Sequence, residues 1–193
     1  MKPQILLVGG GGHCKALIDV IESGGYYAIA GIIDRPEFIG EKLLGYDVIG
    51  CDDDLASLVS RYPNAIVGVG QVRTPDLRKK LFALLESAGY VIPSIVSPRA
   101  YVSPHASIGP GSVVMHDALV NADVRVGANC IINTKALIEH DCRVGDHCHI
   151  STGAILNGAT VVGNGTFVGS NALSKEGTKI AEGSFIKAGS IVT

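Results

Sequence analysis

Residues 138–150 carry most of the candidate chemistry of this sequence, with three histidines, two cysteines and two aspartates among thirteen residues. Histidine and cysteine bind zinc when their side chains converge on one ion. Histidine also acts as a general base near neutral pH, especially where a carboxylate orients its ring and raises its basicity. The cluster therefore fits either a metal site or a catalytic base, and the choice depends on which side chains share a face.

A six-residue repeat sets the direction of these side chains. Every sixth residue from Val96 to Val192 is Val, Ile or Leu, with Ser174 as the single exception. The residue four positions after each of them, from Ala100 to Ser190, is small or compact. Because successive residues of a strand alternate between its two faces, both sets point inward in a coil of three short strands. The pattern predicts a parallel β-helix, whose coils are stable only against their neighbours.

The register of the repeat separates the cysteines from the histidines. Cys130, Cys142 and Cys148 fall on small inward positions, where cysteine acts as a small hydrophobe. The histidines of the cluster fall on outward positions, and ligands on opposite sides of a wall cannot converge on one ion. We therefore expect no bound metal, and we expect the five cysteines of the sequence to be reduced.

Among the outward histidines, His140 is the strongest candidate for a general base. Glu139 and Asp141 flank it, and either carboxylate would orient its ring and raise its basicity. Three other histidines are expected to be solvated surface groups: His105, His116 and His147.

The first half of the sequence alternates short apolar runs with amphipathic segments. Residues 4–8, 28–33, 46–49 and 65–69 read as strands, and residues 53–60 and 74–87 as helices. A glycine run at residues 9–12 lies between the first strand and a further helix, which ends at Gly24 and Gly25. The alternation predicts a small parallel α/β sheet. Pro93 and Pro98 suit a direct passage into the first coil, so we expect domains at residues 1–93 and 94–193.

The carboxyl ends of the predicted parallel strands mark a binding edge, because ligands of such sheets bind beyond these ends. Gly12, His13, Asp34, Arg35 and Gln71 follow the strands there. A glycine turn at a helix N-terminus suits a phosphate, and Asp34 stands where a ribose-binding acid is expected.

The glycine run departs from the dinucleotide fingerprint. Gly9 and Gly11 fit its first two glycines, but Cys14 occupies the third position. NAD binding is therefore disfavoured.

Composition excludes several other classes of protein. The 193 residues carry a net charge of −2, with a pI of about 6.3 and no long basic run, which disfavours a nucleic-acid surface. No stretch reaches the roughly 20 apolar residues of a membrane span, and the N-terminus lacks a cleavable signal layout. We expect a cytoplasmic protein that does not insert into membranes.

Taken together, these features resemble the sugar acetyltransferases of the NeuD and PglD type. The resemblance is carried by Gly-Gly-His at residues 11–13, the α/β first half, and a hexad array with Ile-Glu-His-Asp at 138–141 and His-Ile-Ser at 149–151. It covers essentially the whole chain. It implies a nucleotide-sugar-binding α/β domain with a small Rossmann-like sheet, followed by a left-handed parallel β-helix. Relatives usually continue into a short closing segment, whereas this sequence stops at Thr193.

The resemblance also implies partners and residue roles. Acetyl-CoA would be the co-substrate, a nucleotide-linked amino sugar the acceptor, and the active site would lie between neighbouring β-helices of a homotrimer. His140 would be the general base oriented by Asp141, Asn133 would contact the acceptor, and His149 would hydrogen-bond the thioester carbonyl. Two sets of residues would complete the sites: Gly12, His13, Asp34 and Arg35 for the nucleotide sugar, and Asn157, Gly158, Gly169 and Ser170 for the CoA groove.

Four functions remain open on the sequence. The first is N-acetylation of a nucleotide-linked deoxysugar used for a surface polysaccharide or glycan, and the second is O-acetylation of a sugar hydroxyl such as that of sialic acid. The third is a non-catalytic scaffold that binds nucleotide sugars. The fourth is a hexapeptide metalloenzyme of the carbonic anhydrase type, which needs three histidines that converge across subunits.

Overall fold

The computed structural model describes residues 2–193, and its contacts divide the chain into two compact units. The first contains the chain up to Gly70 together with Asp76–Pro93, and the second contains Gln71–Pro75 together with Ser94–Thr193. The five residues Gln71–Pro75 therefore belong to the second unit, although the segments before and after them belong to the first. Nothing in the sequence indicates this.

The first unit is a sheet with flanking helices. Its strands are β1 (Gln4–Val8), β2 (Ala28–Ile33), β3 (Lys42–Leu43), β4 (Tyr46–Gly50) and β5 (Asn64–Val67). Its helices are α1 (Gly12–Gly24), α2 (Leu55–Leu58) and α3 (Asp76–Ser87), and 3₁₀ turns lie at Pro36–Phe38 and Asp52–Asp54. The strand order is β3-β4-β2-β1-β5, with β1 in the interior, where Ile5, Leu6 and Leu7 are fully buried. Such a continuous apolar run is typical of a parallel strand covered on both faces.

Several details of this unit differ from the prediction. The parallel sheet carries an antiparallel edge strand, since β3 pairs with β4 in the opposite direction. The predicted helix at residues 53–60 is a 3₁₀ turn followed by the single turn α2. These pieces have only two to four residues and therefore leave no periodic signal in the sequence.

The inward face of α3 also contains a charged residue. Arg78 is 1% exposed, and its guanidinium donates hydrogen bonds to the carbonyls of Val67 (3.1 Å) and Val69 (2.5 Å) at the end of β5. The sequence places Leu77, Leu81, Leu84 and Leu85 on one face of this helix. Of these, Leu77 is 53% exposed. The carbonyls beyond β5 favour a buried hydrogen-bond donor over a leucine at this point of the helix.

The second unit is the parallel β-helix that the hexads predict. Between Ile95 and Val192 the chain forms seventeen two-residue strands, and each of the first fourteen pairs in parallel with the strand eighteen residues later. The strands stack into three faces. Each is named here after characteristic outward side chains, and the histidine face takes its name from His149. The histidine face consists of Ile95–Val96, Val113–Val114, Ile131–Ile132, His149–Ile150, Phe167–Val168 and Phe185–Ile186. The aliphatic face consists of Tyr101–Val102, Leu119–Val120, Leu137–Ile138, Ile155–Leu156, Leu173–Ser174 and Ile191–Val192. The charged face consists of Ser107–Ile108, Arg125–Val126, Arg143–Val144, Val161–Val162 and Lys179–Ile180.

The core of the β-helix follows the predicted register. The second residue of each strand and the small residue four positions later pack in one continuous cluster inside the coils. The corners between faces are equally regular, because every sixth residue from Gly111 to Gly189 has a positive φ. Asp, Asn and Gly occupy most of these left-handed positions, as their tolerance of this conformation predicts.

Ser174 breaks the aliphatic series because it belongs to a buried hydrogen-bond network. Its side chain is 1% exposed and lies 2.8 Å from the hydroxyl of Thr160, while its Oγ accepts the main-chain N–H of Asn157 at 3.0 Å. The Asn157 side-chain amide donates to the Ser174 carbonyl at 2.7 Å. Each polar group is thus paired, which is the condition for its presence in a core.

Candidate active site

His140 and Asp141 form a hydrogen-bonded pair at the corner between the aliphatic and charged faces. The distance from His140 Nδ1 to Asp141 Oδ2 is 2.7 Å, and both side chains are about half exposed. Because a carboxylate can only accept, Nδ1 carries the proton and Nε2 is left with a lone pair. The hydrogen bond to Asp141 raises the pKa of His140 above its ordinary value, with smaller contributions from the charges of Asp141 and Glu139. The pair has the geometry of a general base with its orienting carboxylate.

Of the two carboxylates that flank His140, the structure assigns the pairing to Asp141. Glu139 instead accepts a hydrogen bond from the Asn121 side-chain amide, with 2.7 Å between Nδ2 and Oε2. Asp141 has the left-handed backbone conformation, φ 62°, at the third residue of its corner.

Gly158 lies against the imidazole ring of His140, one coil further on. A Cβ built on Gly158 would come within 2.8 Å of His140 Cε1 and 3.0 Å of Nε2. The same corner position carries Ala122, His140 and Glu176 in other coils, so the fold itself accepts a side chain there. Gly158 is therefore a glycine in order to leave room for the imidazole ring.

His149 lies in a directional chain of hydrogen bonds. The main-chain N–H of Thr134 donates to Asn133 Oδ1 at 2.8 Å, which turns the Asn133 amide nitrogen toward His149 Nε2 at 3.1 Å. His149 Nδ1 lies 2.5 Å from the carbonyl oxygen of Gln71. A carbonyl only accepts and an amide nitrogen only donates, so Nδ1 carries the hydrogen and Nε2 accepts. The imidazole is neutral in this arrangement. Its hydrogen bond to one N–H of Asn133 also fixes the direction of the second N–H of that amide.

His149 is also packed more tightly than a surface histidine. It is 7% exposed, and its ring meets Phe167 edge to face at a centroid distance of 5.2 Å. Phe167 in turn stacks on Phe185 at 5.0 Å. The outward position predicted for His149 is therefore correct in direction, but segment Gln71–Pro75 of the same unit contributes to its burial.

The two histidine sites lie at different edges of the β-helix. His140 and Gly158 belong to the corner between the aliphatic and charged faces, whereas Asn133 and His149 lie where the histidine face meets the aliphatic face. A single chain does not bring them together, because the aliphatic face lies between them.

The remaining residues predicted for the CoA groove lie on the corners with their polar groups partly engaged. Asn157 is held by Ser174 as described, and Ser170 Oγ lies 3.0 Å from Ser151 Oγ. Gly169 is buried, and a Cβ there would approach the Ala188 nitrogen of the next coil to 2.5 Å. These contacts fix the corner backbone beside Asn133 and Gly158.

The first unit contains a cavity of about 420 Å³ at the carboxyl ends of its strands. Asp34, Arg35, Asp52 and Asp53 line it, together with apolar residues that include Leu81. The volume lies within the usual range of small-molecule sites. Gly12 and His13, also predicted for this edge, begin α1 and do not line the cavity.

Asp34 fixes the glycine turn next to this cavity. Its Oδ2 accepts the N–H of Gly10 at 2.7 Å and its Oδ1 accepts the N–H of Arg35 at 2.8 Å. Gly9 has φ 99°, and a Cβ there would meet Val69 at 2.3 Å. The turn therefore depends on a glycine and an aspartate, and the aspartate is already engaged before any ribose binds.

Four of the five cysteines are buried as core residues, and Cys51 is half-buried. Within residues 2–193 all five are free thiols, and Cys130, Cys142 and Cys148 are fully buried inside the coils. Burial raises the pKa of Cys130, and it raises that of Cys14 to about 12, so both stay protonated. Among the described residues, no group of three or more His, Cys, Asp or Glu side chains is arranged to hold a metal. None of the helices in residues 2–193 is long and apolar enough to span a membrane.

Three features of the structure were not predicted from the sequence. Gly158 was predicted to line the CoA groove but not to touch the base, and the burial of Arg78 had no signal in the leucine spacing. The Gln71 carbonyl that holds His149 lies 78 residues away along the chain. Only the period of eighteen could have indicated that residues 140 and 158 are neighbours.

Comparisons with known proteins identify the first unit by its sequence and the whole chain by its fold. Residues 4–85 match the family model of the PglD N-terminal domain. No curated protein matches the sequence.

Solved structures match along the length of the chain. The acetyltransferase domain of PglB from Neisseria gonorrhoeae FA1090 is 31% identical, with a TM-score of 0.91 over all of this chain and 92% of that one. PerB from Caulobacter crescentus, solved with CoA and GDP-perosamine, is 32% identical, with a TM-score of 0.92 over 98% of this chain and 88% of that one. WeeI from Acinetobacter baumannii AYE, at 20% identity and a TM-score of 0.77, shares the fold.

Proposed function

Because the chain belongs to the sugar acetyltransferase family of the NeuD and PglD type, we propose that it transfers the acetyl group of acetyl-CoA to an amino group of a nucleotide-linked deoxysugar. The observation that carries this proposal is the His140–Asp141 pair, which leaves an unprotonated Nε2 at an exposed corner. The relatives from Caulobacter crescentus add support, since they include a perosamine N-acetyltransferase solved with CoA and GDP-perosamine.

The reaction needs a base because an ammonium group has no lone pair for attack on a thioester. The neutral amine attacks the acetyl carbonyl, and His140 Nε2 takes a proton from the nitrogen as the C–N bond forms. The tetrahedral intermediate then expels the CoA thiolate, which receives the proton from His140 and leaves as the free thiol. Such proton transfer contributes about 10²- to 10⁴-fold in rate, and Asp141 stabilises the imidazolium while it exists.

Asn133 and His149 serve the acceptor and thioester side of the site in this proposal. With its Nε2 occupied as an acceptor, His149 acts by holding the Asn133 amide, whose second N–H is free to meet the acceptor or the thioester carbonyl. A fixed donor at that carbonyl stabilises the developing oxyanion. The corner residues Asn157, Gly158, Gly169 and Ser170 form the CoA groove.

The cavity of the first unit receives the nucleotide in this proposal. Its acidic residues suit the base and ribose, which offer N–H and O–H donors, and they repel phosphates. The diphosphate instead fits the glycine turn and the start of α1, at Gly12 and His13, where no acidic residue lies in the first turn.

A homotrimer completes the active site. The outward residues of the aliphatic face form an apolar strip: Tyr101, Leu119, Leu137, Ile155, Leu173 and Ile191. If the strips of neighbouring chains meet, His140 of one chain approaches Asn133 and His149 of the next. We place the enzyme in the cytoplasm, where acetyl-CoA and nucleotide sugars are made, and its product in the synthesis of a surface polysaccharide or glycan.

Release of CoA thiol from acetyl-CoA in the presence of a panel of nucleotide-linked amino sugars and free sialic acid tests the proposal. We expect wild-type activity on a nucleotide-linked amino sugar and a fall of about 10²- to 10⁴-fold in kcat for His140→Ala. Acetyl-CoA binding, measured by calorimetry, should persist in that variant.

The control is His105→Ala, at an exposed histidine of an earlier corner, which should keep wild-type turnover. Near-normal turnover of His140→Ala would refute the role of the base. Activity on sialic acid alone would replace N-acetylation by O-acetylation.

A further inference from the structure

Gln71 contains a buried amide without a hydrogen-bond partner. The residue is 2% exposed, and within residues 2–193 neither its Nε2 nor its Oε1 has a partner. Leaving a buried amide unpaired is unfavourable by roughly 1–3 kcal/mol per group, and native proteins rarely leave both ends of one unpaired. An unpaired donor and acceptor on one side chain indicate a group that is completed by something outside the chain.

The position of Gln71 places this amide near the acyl-transfer residues. Its main-chain carbonyl accepts the hydrogen bond from His149 Nδ1 at 2.5 Å, and His149 Nε2 accepts from Asn133. The amide is therefore held within one side-chain length of the patch formed by Asn133 and His149.

We propose that the Gln71 amide binds the sugar ring of the acceptor, an inference that rests on the proposed function. A thioester carbonyl offers only acceptors and would leave Oε1 unpaired. A sugar hydroxyl, alone or beside the reacting amine, offers an oxygen to Nε2 and a hydrogen to Oε1. The amide is closed to solvent in the ligand-free chain, so binding requires the Gln71 side chain to turn outward. A sugar then satisfies both ends of the amide, and Gln71 distinguishes sugars that have this hydroxyl from those that lack it.

The test separates binding of the sugar from binding of the nucleotide. Gln71→Met replaces the amide by an unbranched apolar side chain of similar length, and Gln71→Ala repeats the test without a risk of overpacking. Calorimetry measures binding of the nucleotide amino sugar that the wild-type enzyme acetylates, beginning with GDP-perosamine, and of the matching nucleoside diphosphate without sugar. Val72→Ala, at the exposed neighbour, is the control.

We expect KM and Kd for the nucleotide sugar to rise about 10- to 100-fold in both variants, while the affinities for the nucleoside diphosphate and acetyl-CoA stay unchanged. Gln71→Met should also raise the Tm of the ligand-free protein, because it removes an unpaired buried amide. Equal weakening of sugar-linked and sugar-free nucleotide, or a lower Tm for Gln71→Met, would overturn the inference and assign the amide to the protein's own packing. Failure of the wild type on every amino sugar would instead overturn the proposed function itself.

Discussion

Asp141 has two roles: it forms the left-handed corner of the β-helix, and it holds the imidazole of His140 by a hydrogen bond. This residue occupies a left-handed position, which aspartate tolerates better than most residues, and from there its carboxylate reaches the neighbouring imidazole. The requirement of the fold and that of the base are met by one side chain. Asparagine tolerates the same conformation and has the same size, which makes Asp141→Asn a clean removal of charge.

Asp141→Asn should move the acid limb of the pH–rate profile. The hydrogen bond and charge of Asp141 raise the pKa of His140. In the proposed mechanism His140 works only when neutral, so kcat/KM of the wild type should fall as pH drops through this raised pKa. Without the charge the pKa decreases and the limb moves to lower pH. The maximal rate should also fall, by less than the roughly 10²- to 10⁴-fold that loss of the whole base removes. Profiles of kcat/KM on both sides of neutral pH would show this, and an unmoved acid limb would argue that a group other than His140 titrates.

At the level of single residues, sequence reasoning reached the groups whose neighbours are close along the chain. The hexad register correctly turned His140 outward and the three cysteines of the β-helix inward. It missed the burial of His149, because the Gln71 carbonyl that covers it comes from a distant segment. The local sequence pattern determines whether a side chain points inward or outward. The burial of an outward side chain depends on which distant segments pack against the same face.

At the level of elements, the corners act as columns with a period of eighteen residues. The column that contains His140 places Ala122 before it and Gly158 after it, and the single glycine is the one that faces the imidazole. The side chains of one column touch although they are far apart in sequence. Reading the sequence with a period of six defines inside and outside, but only a period of eighteen shows these contacts.

Gly158→Ala should displace the imidazole of His140 without harming the fold. Gly158 has no positive φ that would strain an alanine, so the added methyl group conflicts only with the ring, at 2.8 Å from Cε1. Misplacement of a catalytic group by about 1 Å lowers kcat by about 10²-fold. Turnover and thermal denaturation should therefore show slow catalysis with a near-normal Tm.

A double mutant checks the cause of that loss. If Gly158→Ala acts through the ring, it should slow the His140→Ala enzyme no further. An additional loss in the double mutant would mean that Gly158 serves the CoA groove by another route.

The charged face and the aliphatic face of the β-helix differ in their outward side chains. Arginine and lysine predominate on the charged face, while the aliphatic face shows only apolar outward residues from end to end. An apolar strip of this length is unusual on the surface of a monomer and marks an interaction site. In the proposed trimer the residues on either side of this strip complete one active site, so assembly and catalysis should fail together.

Ile155→Asp tests this link at the centre of the aliphatic face. A carboxylate that becomes buried between subunits is strongly unfavourable, so we expect a smaller particle by light scattering after gel filtration and loss of acetyl transfer. Val161→Asp, at an exposed valine of the charged face in the next strand, is the matched control and should stay assembled and active. An active monomer of Ile155→Asp would show that one chain contains a complete site.

At this scale the sequence predicted the β-helix well and the small sheet less well. Sixteen of the seventeen strands between residues 95 and 192 follow one rule, which leaves little freedom because each coil repeats the pattern of the last. The first unit relies on single occurrences, such as the two-residue strand β3 and the one-turn helix α2, which are stabilised by tertiary contacts rather than by pattern.

The parallel pairing of strands eighteen residues apart gives this chain a natural unit of length. Removal or insertion of one whole coil leaves every later side chain on the face where it started. A change of six residues instead rotates everything beyond it by a third of a turn, so that an arginine of the charged face would arrive where a leucine of the apolar strip belongs. Descendants of this sequence can therefore gain or lose height in steps of eighteen residues while they keep their catalytic edges, and shorter steps exchange one face for another.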